Sequence, residues 1–278
     1  DDYYFQDFGD IPEEISVNQL LQQAQVQYRD EHWVFTSLVQ GYQSLHPVNR
    51  QEVLSPYSRL PMLSLSGSFP DAWKGFDFTW HSEGTYYNRS DILDTSTSDA
   101  SGDASGIIAG VNGGRFEARP GIGHPFNWIW GFFDPKLQFD VIYYTLQNQM
   151  PPQDNHLSRS VPMFDIHSGL FFERNINLLH HSYEQTFEPE LYYLYVPFRS
   201  QNDLPNFDSG IIPFTYSQMF SNNRFSGLDR IGDSNQLTLA LTTRFINNQT
   251  GDQKFRLSVG DTFYFQKPQT QLCNTPGC

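Results

Sequence analysis

Residues 236–246 read QLTLALTTRFI and alternate apolar and polar side chains almost without a break. Successive side chains of a β-strand point to opposite faces. The segment therefore predicts a strand with one apolar face and one polar face. The apolar face carries Leu237, Leu239, Leu241 and Phe245, and the polar face carries Gln236, Thr238, Thr242 and Arg244.

The same alternation recurs along the chain in four further segments, at 115–122, 136–145, 162–174 and 254–265. In the first of them, RFEARPGI, the charged residues fall on the polar side of the alternation. Charges that point the same way as the other polar residues indicate a wet interior behind an apolar outer surface. Asp261 is an exception on the apolar face, and it predicts a local bulge or a position at the rim. The charged residues of 115–122 are Arg115, Glu117 and Arg119.

Residues 184–198 form the densest aromatic strand, and two prolines interrupt it. Since proline cannot donate a hydrogen bond to a sheet, Pro189 and Pro197 each predict a bulge or a weak point. Parity predicts that Glu188 and Glu190 face the interior. The side chains predicted to face lipid are Phe187, Leu191 and Tyr193, with Tyr195 and Phe198 in an outer aromatic girdle.

Composition supports a membrane β-barrel. Aromatic residues make up 16% of the 278 residues, although the mean hydropathy is only −0.51. Many aromatic residues on a polar background are typical of transmembrane barrels, whose lipid face alternates with a polar lumen. The sequence has no run of about 18 apolar residues that could form a spanning helix. The net charge of −14 argues against nucleic acid as a partner.

The alternation predicts about eleven strands, joined by connections that alternate between short and long. Short turns on one side and long loops on the other are typical of an up-and-down outer-membrane barrel, and they are not expected of a Greek-key sandwich. The predicted strands are 1–8, 18–28, 33–45, 58–69, 74–87, 112–122, 134–147, 160–174, 184–198, 235–246 and 253–266.

An odd number of strands is unusual for a bacterial single-chain barrel. The sequence also begins inside a predicted strand and ends inside a loop. We therefore expect an all-β fold, an antiparallel up-and-down transmembrane β-barrel segment, with residues 1–278 forming part of one larger outer-membrane barrel domain.

Several stretches resemble the LptD family of outer-membrane lipopolysaccharide translocons. They are VPMFDIHSGLFFERN, YEQTFEPELYYLYVPFRSQNDLPNFDSG, FSGLDRIGDSNQLTLALTTRFI and FRLSVGDTFYF. YFQDFG near the start, RLPMLSLSG at 59–67 and RFEARPGIGHPF at 115–126 are similar to earlier strands of that barrel in the same order. The resemblance covers essentially the whole chain and is most specific over 184–266.

The resemblance implies a barrel of about 26 strands in the outer membrane of a Gram-negative bacterium. Its lumen would hold the plug lipoprotein LptE, and its first and last strands would part to release lipopolysaccharide. The family's periplasmic jellyroll, which receives lipid from the bridge protein, and the strands of its lateral gate have no counterpart in this sequence. The implied activity is transport without chemistry, so no catalytic residue, cofactor or metal is expected.

The two cysteines depart from the family pattern, in which disulfides join an N-terminal segment to an adjacent cysteine pair. Cys273 and Cys278 are separated by Asn-Thr-Pro-Gly. This spacing suits a small disulfide ring around a Pro-Gly turn in an oxidising compartment. The alternative, that both are free or pair elsewhere, stays open.

Other motifs give weak support to different functions. His180, His181 and Glu184 lack the helical spacing of a zinc motif, so a plain turn is favoured. The Ser/Gly-rich stretch with Asp94, Asp99 and Asp103 lacks the EF-hand pattern, which favours a solvated loop. No serine lies in a G-x-S-x-G elbow. A porin-like channel or receptor barrel is the alternative function, and a barrel hydrolase is a more distant one.

Residues 199–234 exceed the length of an ordinary connection and have an apolar middle, SGIIPFTYSQMF. We expect this segment to fold back towards the lumen and to contact the plug lipoprotein, because such a middle needs a surface to bury against. The alternative is packing under its own loop. The predicted partner-binding residues are Ile211, Ile212, Phe214, Tyr216, Phe220, Arg224, Asp229 and Arg230, of which the last three would anchor the return to the next strand by charge-assisted hydrogen bonds.

Overall fold

A computed structural model describes residues 19–44, 56–89, 111–147, 154–178 and 181–272. These residues form one antiparallel sheet, and their only helical segment is a short 3-10 helix, Ser217–Phe220. The strands are β1 (Gln19–Arg29), β2 (Trp33–Ser44), β3 (Ser58–Trp73), β4 (Phe76–Asn88), β5 (Asn112–Gly123), β6 (Phe126–Trp128), β7 (Gly131–Gln147), β8 (His156–Leu170), β9 (Phe172–Leu178), β10 (His181–Val196), β11 (Ser234–Asn247) and β12 (Gln253–Tyr264).

The strands follow one another as a meander. The order across the sheet is β1-β2-β3-β4-β5-β7-β8-β10-β11-β12. The short strand β6 extends the position of β5 beside β7, and β9 extends the position of β8 beside β10. Within the described residues the sheet is open, because β1 and β12 each pair on one side only. This architecture confirms the predicted up-and-down barrel segment.

The predicted strands agree closely with the structure. Ten of the eleven fall on described residues, and each of these is present. The predicted strand 1–8 and the cysteine pair, Cys273 and Cys278, lie outside the described residues. Where the described ranges define them, the connections alternate as expected: β1 to β2 and β11 to β12 are tight turns, whereas residues 197–233 form a long loop between β10 and β11.

Both prolines of the aromatic segment 184–198 mark irregularities, as predicted. On one side of β10 the pairing partner changes at Pro189 from β9 to β8: Phe187 lies beside Phe172, the first residue of β9, and Glu190 lies beside Gly169 of β8. Pro197 directly follows the last residue of β10. A residue without a backbone N–H therefore stands where the β8–β9 strand breaks, and another stands where β10 ends.

The two faces of the sheet differ in burial as the alternation predicts. On β11, Thr238 and Thr242 are almost fully buried, whereas Leu239 is 44% exposed. On β10, Glu188 is buried and Phe187 is 48% exposed. We call the polar, covered side the inner face and the apolar, exposed side the outer face.

Asp261 lies on the outer face without any bulge. It pairs in regular register with Leu239, and the only register shift between β11 and β12 is near Phe245. Asp261 accepts a hydrogen bond from the backbone N–H of Thr262 and lies three residues before the end of β12. The predicted bulge was wrong, and the position near the rim agrees with the structure.

No helix in the described part of the chain has the length and apolar character needed to cross a membrane.

Candidate functional site

The long connection 197–233, called the inner loop below, folds onto the inner face of the sheet. Its side chains or backbone contact residues of β3, β4, β5, β7, β8 and β11. Such a path requires the inner face to offer partners for a long polar segment. The wall supplies them in two ways, through buried charges and through apolar patches.

Arg115 of β5 is the centre of the charged contact. Its side chain is fully buried and forms a bidentate pair with Asp208, with both N–O distances 2.8 Å. The same guanidinium also donates to Asp229 and to Glu83, each at 2.8 Å. Two carboxylates of the inner loop and one of β4 thus share a single wall cation, which we call the Arg115 cluster.

Further donors complete the Arg115 cluster. The hydroxyl of Tyr87 donates to Asp208 and that of Tyr144 donates to Asp229, each at 2.8 Å. Asp229 also accepts the backbone N–H groups of Phe207 and Asp208, at 2.7 and 2.8 Å. The buried carboxylates are therefore well supplied with donors, as buried charges must be.

The electrostatics of the loop carboxylates follow from this geometry. Burial raises the pKa of Asp208, but hydrogen bonds from Arg115 and its positive charge outweigh burial and hold the pKa well below its usual range. Complete burial raises the pKa of Asp229; Arg115 opposes this rise, and the nearby negative charge of Asp208 adds to it. Asp208 is therefore the member of the pair that is held most firmly as an anion.

A second wall cation, Arg159 of β8, forms hydrogen bonds with the backbone of the loop. It donates to the carbonyl oxygen of Asp229 at 2.8 Å and to the side-chain oxygen of Gln201 at 2.7 Å. Gln201 in turn donates to the Ile231 carbonyl oxygen and accepts the Ile231 N–H, at 2.7 and 3.0 Å. Asp140 of β7 holds Arg159 in place at 2.7 Å. This arrangement ties the two ends of the inner loop together at the wall.

Apolar contacts fill the space around these charges. Phe207 of the loop stacks on Tyr87 with ring centroids 4.5 Å apart. Ile231 packs against β8 and β10. The inner face is not polar throughout, because the wall contributes two apolar patches where the loop lands. The first holds Tyr87, Val111, Ile142, Tyr144 and Leu146 with Leu204 and Phe207, and the second holds Val161, Met163, Tyr192, Leu194 and Val196 with Ile231.

Among the predicted partner-binding residues, Asp229 and Arg230 are buried within the chain and anchor the loop as expected. Arg230 donates to the carbonyl oxygens of Leu204 and Pro205, at 2.8 and 2.9 Å. Arg224 donates to the carbonyl oxygen of Thr270. Charge-assisted hydrogen bonds are therefore present, but their acceptors lie in the loop and in the segment after β12, and a role of these residues in partner binding stays a prediction.

The apolar members of the predicted set divide into two groups. Ile211 is 65% exposed and Phe214 is 70% exposed, so both leave apolar surface uncovered. Tyr216 is half-buried, with its hydroxyl 3.3 Å from that of Thr242. Phe220 packs against the patch around Ile231, and Ile212 is half-buried. Contact of these residues with another protein stays a prediction.

The segment that follows β12 is also tied to the loop. Asp233 accepts the backbone N–H groups of Gln269 and Thr270, at 2.9 and 2.7 Å. Burial raises the pKa of Asp233, but these backbone hydrogen bonds lower it by more, so its net shift is downward. Arg224 and Asp233 together thus join the loop to residues 269–270.

Beside the inner loop, the inner face leaves an open polar recess of about 570 Å³. Its lining includes Lys136, Asp165 and His167 of the wall, together with Phe220 and Asn222 of the loop. Asn222 donates to Gln138 at 2.8 Å, which fixes the border of the recess. In the described residues, no group of three or more His, Cys, Asp or Glu side chains could hold a metal ion.

The wall residues of the site were only partly visible in the sequence. The alternation placed Arg115 on the inner face, but it did not indicate its partners, which lie far away along the chain. Arg159, Tyr87, Tyr144 and Asp208 were not identified at all. For the three wall residues the only signal is strand parity, which they share with many other inner-face residues, and Asp208 lies in the loop, where no alternation applies.

Comparisons with known proteins agree with this architecture. Residues 1–277 match the family model described as LptD, LPS transport system D. The chain is similar to proteins named LPS-assembly protein LptD from three organisms: Coxiella burnetii (38% identity, 100% of this chain, 31% of that protein), Legionella pneumophila strain Paris (37%, 99% and 32%) and Pseudomonas savastanoi pv. phaseolicola (36%, 98% and 31%). The chain spans about a third of the length of these relatives. With a family match that covers its whole length and an open antiparallel sheet whose inner and outer faces are sorted as in a barrel wall, the chain belongs to the LptD family.

Proposed function

We propose that this chain forms part of the wall of an outer-membrane β-barrel that assembles lipopolysaccharide into the outer leaflet. The observation that carries the proposal is the family match over residues 1–277 on a sheet with an apolar outer face and a polar inner face. The relatives' name, LPS-assembly protein, supplies the substrate class. The activity is transport without chemistry, in the outer membrane of a Gram-negative bacterium.

The chain is proposed to be one part of a larger single barrel domain. Open strand edges are not tolerated in lipid, because every backbone polar group there needs a partner. The described sheet has free outer edges at β1 and β12, so further strands would have to complete it. A periplasmic bridge would deliver lipopolysaccharide to parts of the protein outside this wall.

We further propose that a plug lipoprotein of the LptE type contacts the inner loop and the recess. The exposed apolar side chains of Ile211 and Phe214 offer a surface that water does not favour. The recess beside the loop is polar, with Lys136, Asp165 and His167 in its lining. A folded partner in the lumen could cover both surfaces together.

Depletion of the full-length natural protein in its host tests the transport function. Lipopolysaccharide on intact cells, measured with an antibody or a lipid A-binding probe, should fall while total cellular lipopolysaccharide is maintained. A porin-like function predicts that depletion leaves surface lipopolysaccharide unchanged. It also predicts that the purified protein, with its partner present, conducts ions freely. That pair of results would overturn the proposal.

Photo-crosslinking in the full-length protein tests the plug contact. A photoreactive amino acid in place of Phe214, which is 70% exposed, should capture the lipoprotein. The same amino acid at Phe207, which is buried against Tyr87, should give intramolecular products only. Efficient incorporation at Phe214 with only intramolecular products would contradict the proposed contact.

A further inference from the structure

Arg174 is an arginine on the outer face, close to the turn between β9 and β10. It lies on the same side of β9 as Phe172, which pairs with Phe187 of β10, and both phenylalanines are about half exposed. Arg174 itself is exposed and forms no ion pair within the described residues. Its charge is therefore uncompensated by the described part of the chain on a surface that is otherwise largely apolar.

Two polar side chains orient this arginine. Its Nε donates to the side-chain oxygen of Gln185 at 2.8 Å, and the Gln185 amide donates to the hydroxyl of Thr243 at 3.3 Å. Thr243 in turn donates to the backbone oxygen of Thr186 at 2.7 Å. The chain of hydrogen bonds fixes the guanidinium through Nε. Its two terminal amino groups have no hydrogen-bond acceptor among the described residues, and they remain as a fork for a bidentate anion.

Two pairs of phenylalanine rings lie on the outer face of the strands around Arg174. Phe172 and Phe187 lie 6.2 Å apart between ring centroids, and Phe245 and Phe255 lie 5.8 Å apart. Phe245 is directly opposite Gln185 in the ladder. A guanidinium in such surroundings is costly in hydrocarbon, but it is favourable at the headgroup level, where aromatic rings also concentrate.

We propose that Arg174, oriented by Gln185 and Thr243, binds the phosphodiester of a bilayer glycerophospholipid whose headgroup carries a net negative charge. The guanidinium would take the phosphate oxygens, and the phenylalanine pairs would contact the glycerol and the first acyl carbons. Arg174 lies four residues before the end of β9, near the short-turn rim of the sheet. Since short turns of outer-membrane barrels face the periplasm, the lipid belongs to the periplasmic leaflet. This inference requires only that the outer face lies in lipid, and it is independent of lipopolysaccharide transport.

Native mass spectrometry of the full-length protein, released from nanodiscs of phosphatidylglycerol and phosphatidylcholine, tests the site. Wild-type protein should retain phosphatidylglycerol at collision energies that remove phosphatidylcholine. Arg174→Gln should reduce the retention of the last bound phosphatidylglycerol roughly five- to tenfold. Gln185→Ala keeps the charge but loses the orienting hydrogen bond, and it should give an intermediate loss.

Arg256→Gln is the matched control, because Arg256 is also exposed near a short turn but lies on the inner face of β12. It should retain phosphatidylglycerol as the wild type does, and heat-induced gel shifts should show that all variants fold. Unchanged retention in both Arg174→Gln and Gln185→Ala would overturn the site. An equal loss in Arg256→Gln would show that retention depends only on the net charge of the protein, which would also overturn the site. Displacement of the lipid by soluble glycerol phosphate at millimolar concentration would show an anion site without lipid recognition, which also overturns the proposal.

Discussion

Replacement of Arg115 by methionine tests whether one wall cation holds the inner loop. The change keeps much of the side-chain volume but strands three carboxylates, those of Glu83, Asp208 and Asp229, which now share a guanidinium at 2.8 Å. Arg59 approaches Asp208 only to 3.5 Å, so it would compensate weakly. We expect the inner loop to detach while the strand ladder of the wall persists.

The magnitude follows from the burial of the cluster. The side chains of Arg115 and Asp229 have no exposed surface, and removal of one partner from a buried ion pair costs about 3–5 kcal/mol. This corresponds to a rise of roughly 10²- to 10⁴-fold in the equilibrium constant for loop opening. Simple addition of all the Arg115 hydrogen bonds would overstate the effect, because stranded carboxylates can take up protons or water.

Hydrogen exchange of the loop amides measures this opening. The N–H groups of Phe207 and Asp208 donate to Asp229, so their protection reports the state of the cluster directly. Lys254→Met is the control, because Lys254 and Asp252 form a pair at 2.8 Å that is exposed and therefore contributes little to stability. Unchanged protection of the loop amides in Arg115→Met would refute the reasoning, as would an equal loss in the control.

The double variant Arg115→Met/Asp229→Asn separates charge from packing. If the main penalty comes from stranded negative charge, neutralisation of one carboxylate should recover part of the lost protection compared with Arg115→Met alone. An additive double variant would show that Arg115 acts mainly through its contacts with the remaining groups.

Three further predictions concern the outer face, the loop backbone and pH. Leu239→Arg should destabilise the membrane-inserted state by about 2–4 kcal/mol if the residue lies near the bilayer midplane. Thr79 lines the polar recess on the inner face, so Thr79→Arg should cost much less in the same refolding titration. Gly227→Ala should disrupt the loop, because φ is +65° and the added Cβ would lie 2.4 Å from a carboxylate oxygen of Asp208. Gly251→Ala is the control: φ is +72° but the added Cβ would meet open space, so thermal unfolding should show a cost of only about 1–2 kcal/mol. The pKa of Asp233 is lowered in the folded protein, so its contribution to stability should be full above about pH 4 and lost as the pH falls further. Protection of the backbone N–H groups of Gln269 and Thr270, which donate to Asp233, should therefore fall in acid. Asp233→Ala should remove this pH dependence.

The strands could be predicted from the sequence because their signal is local. On β11 and β12 the side chains alternate residue by residue, so each segment reports both its own conformation and its own buried face. Pro189 and Pro197 were likewise readable, because a missing N–H affects hydrogen bonds wherever the residue lies. For Asp261 the sequence left a bulge and a rim position open, since one polar residue on an apolar face does not decide between them, and the structure agrees with the rim position.

The path of the inner loop could not be predicted in the same way. Arg115 and Asp229 are 114 residues apart in sequence, and Tyr144 and Asp229 are 85 apart. Parity places Arg115 on the inner face, yet it cannot select its partner among the many acidic residues of the chain. The apolar middle of the loop did indicate burial, but the apolar patches that receive Phe207 and Ile231 arise from several strands and exist only in the assembled sheet.

The charged residues of the inner loop contact the wall, the backbone of the loop and the segment after β12. Its acids Asp208 and Asp229 bind wall residues, chiefly Arg115. Arg230 instead bonds backbone carbonyls of the loop itself, and Arg224 bonds that of Thr270. Asp229 therefore serves both the attachment to the wall and the internal hydrogen bonds of the loop, whereas Arg230 acts within the loop. Because Asp229 also accepts the backbone N–H groups of Phe207 and Asp208, loss of Arg115 should loosen the loop itself as well as its attachment, and the protection of these two amides should fall together with detachment.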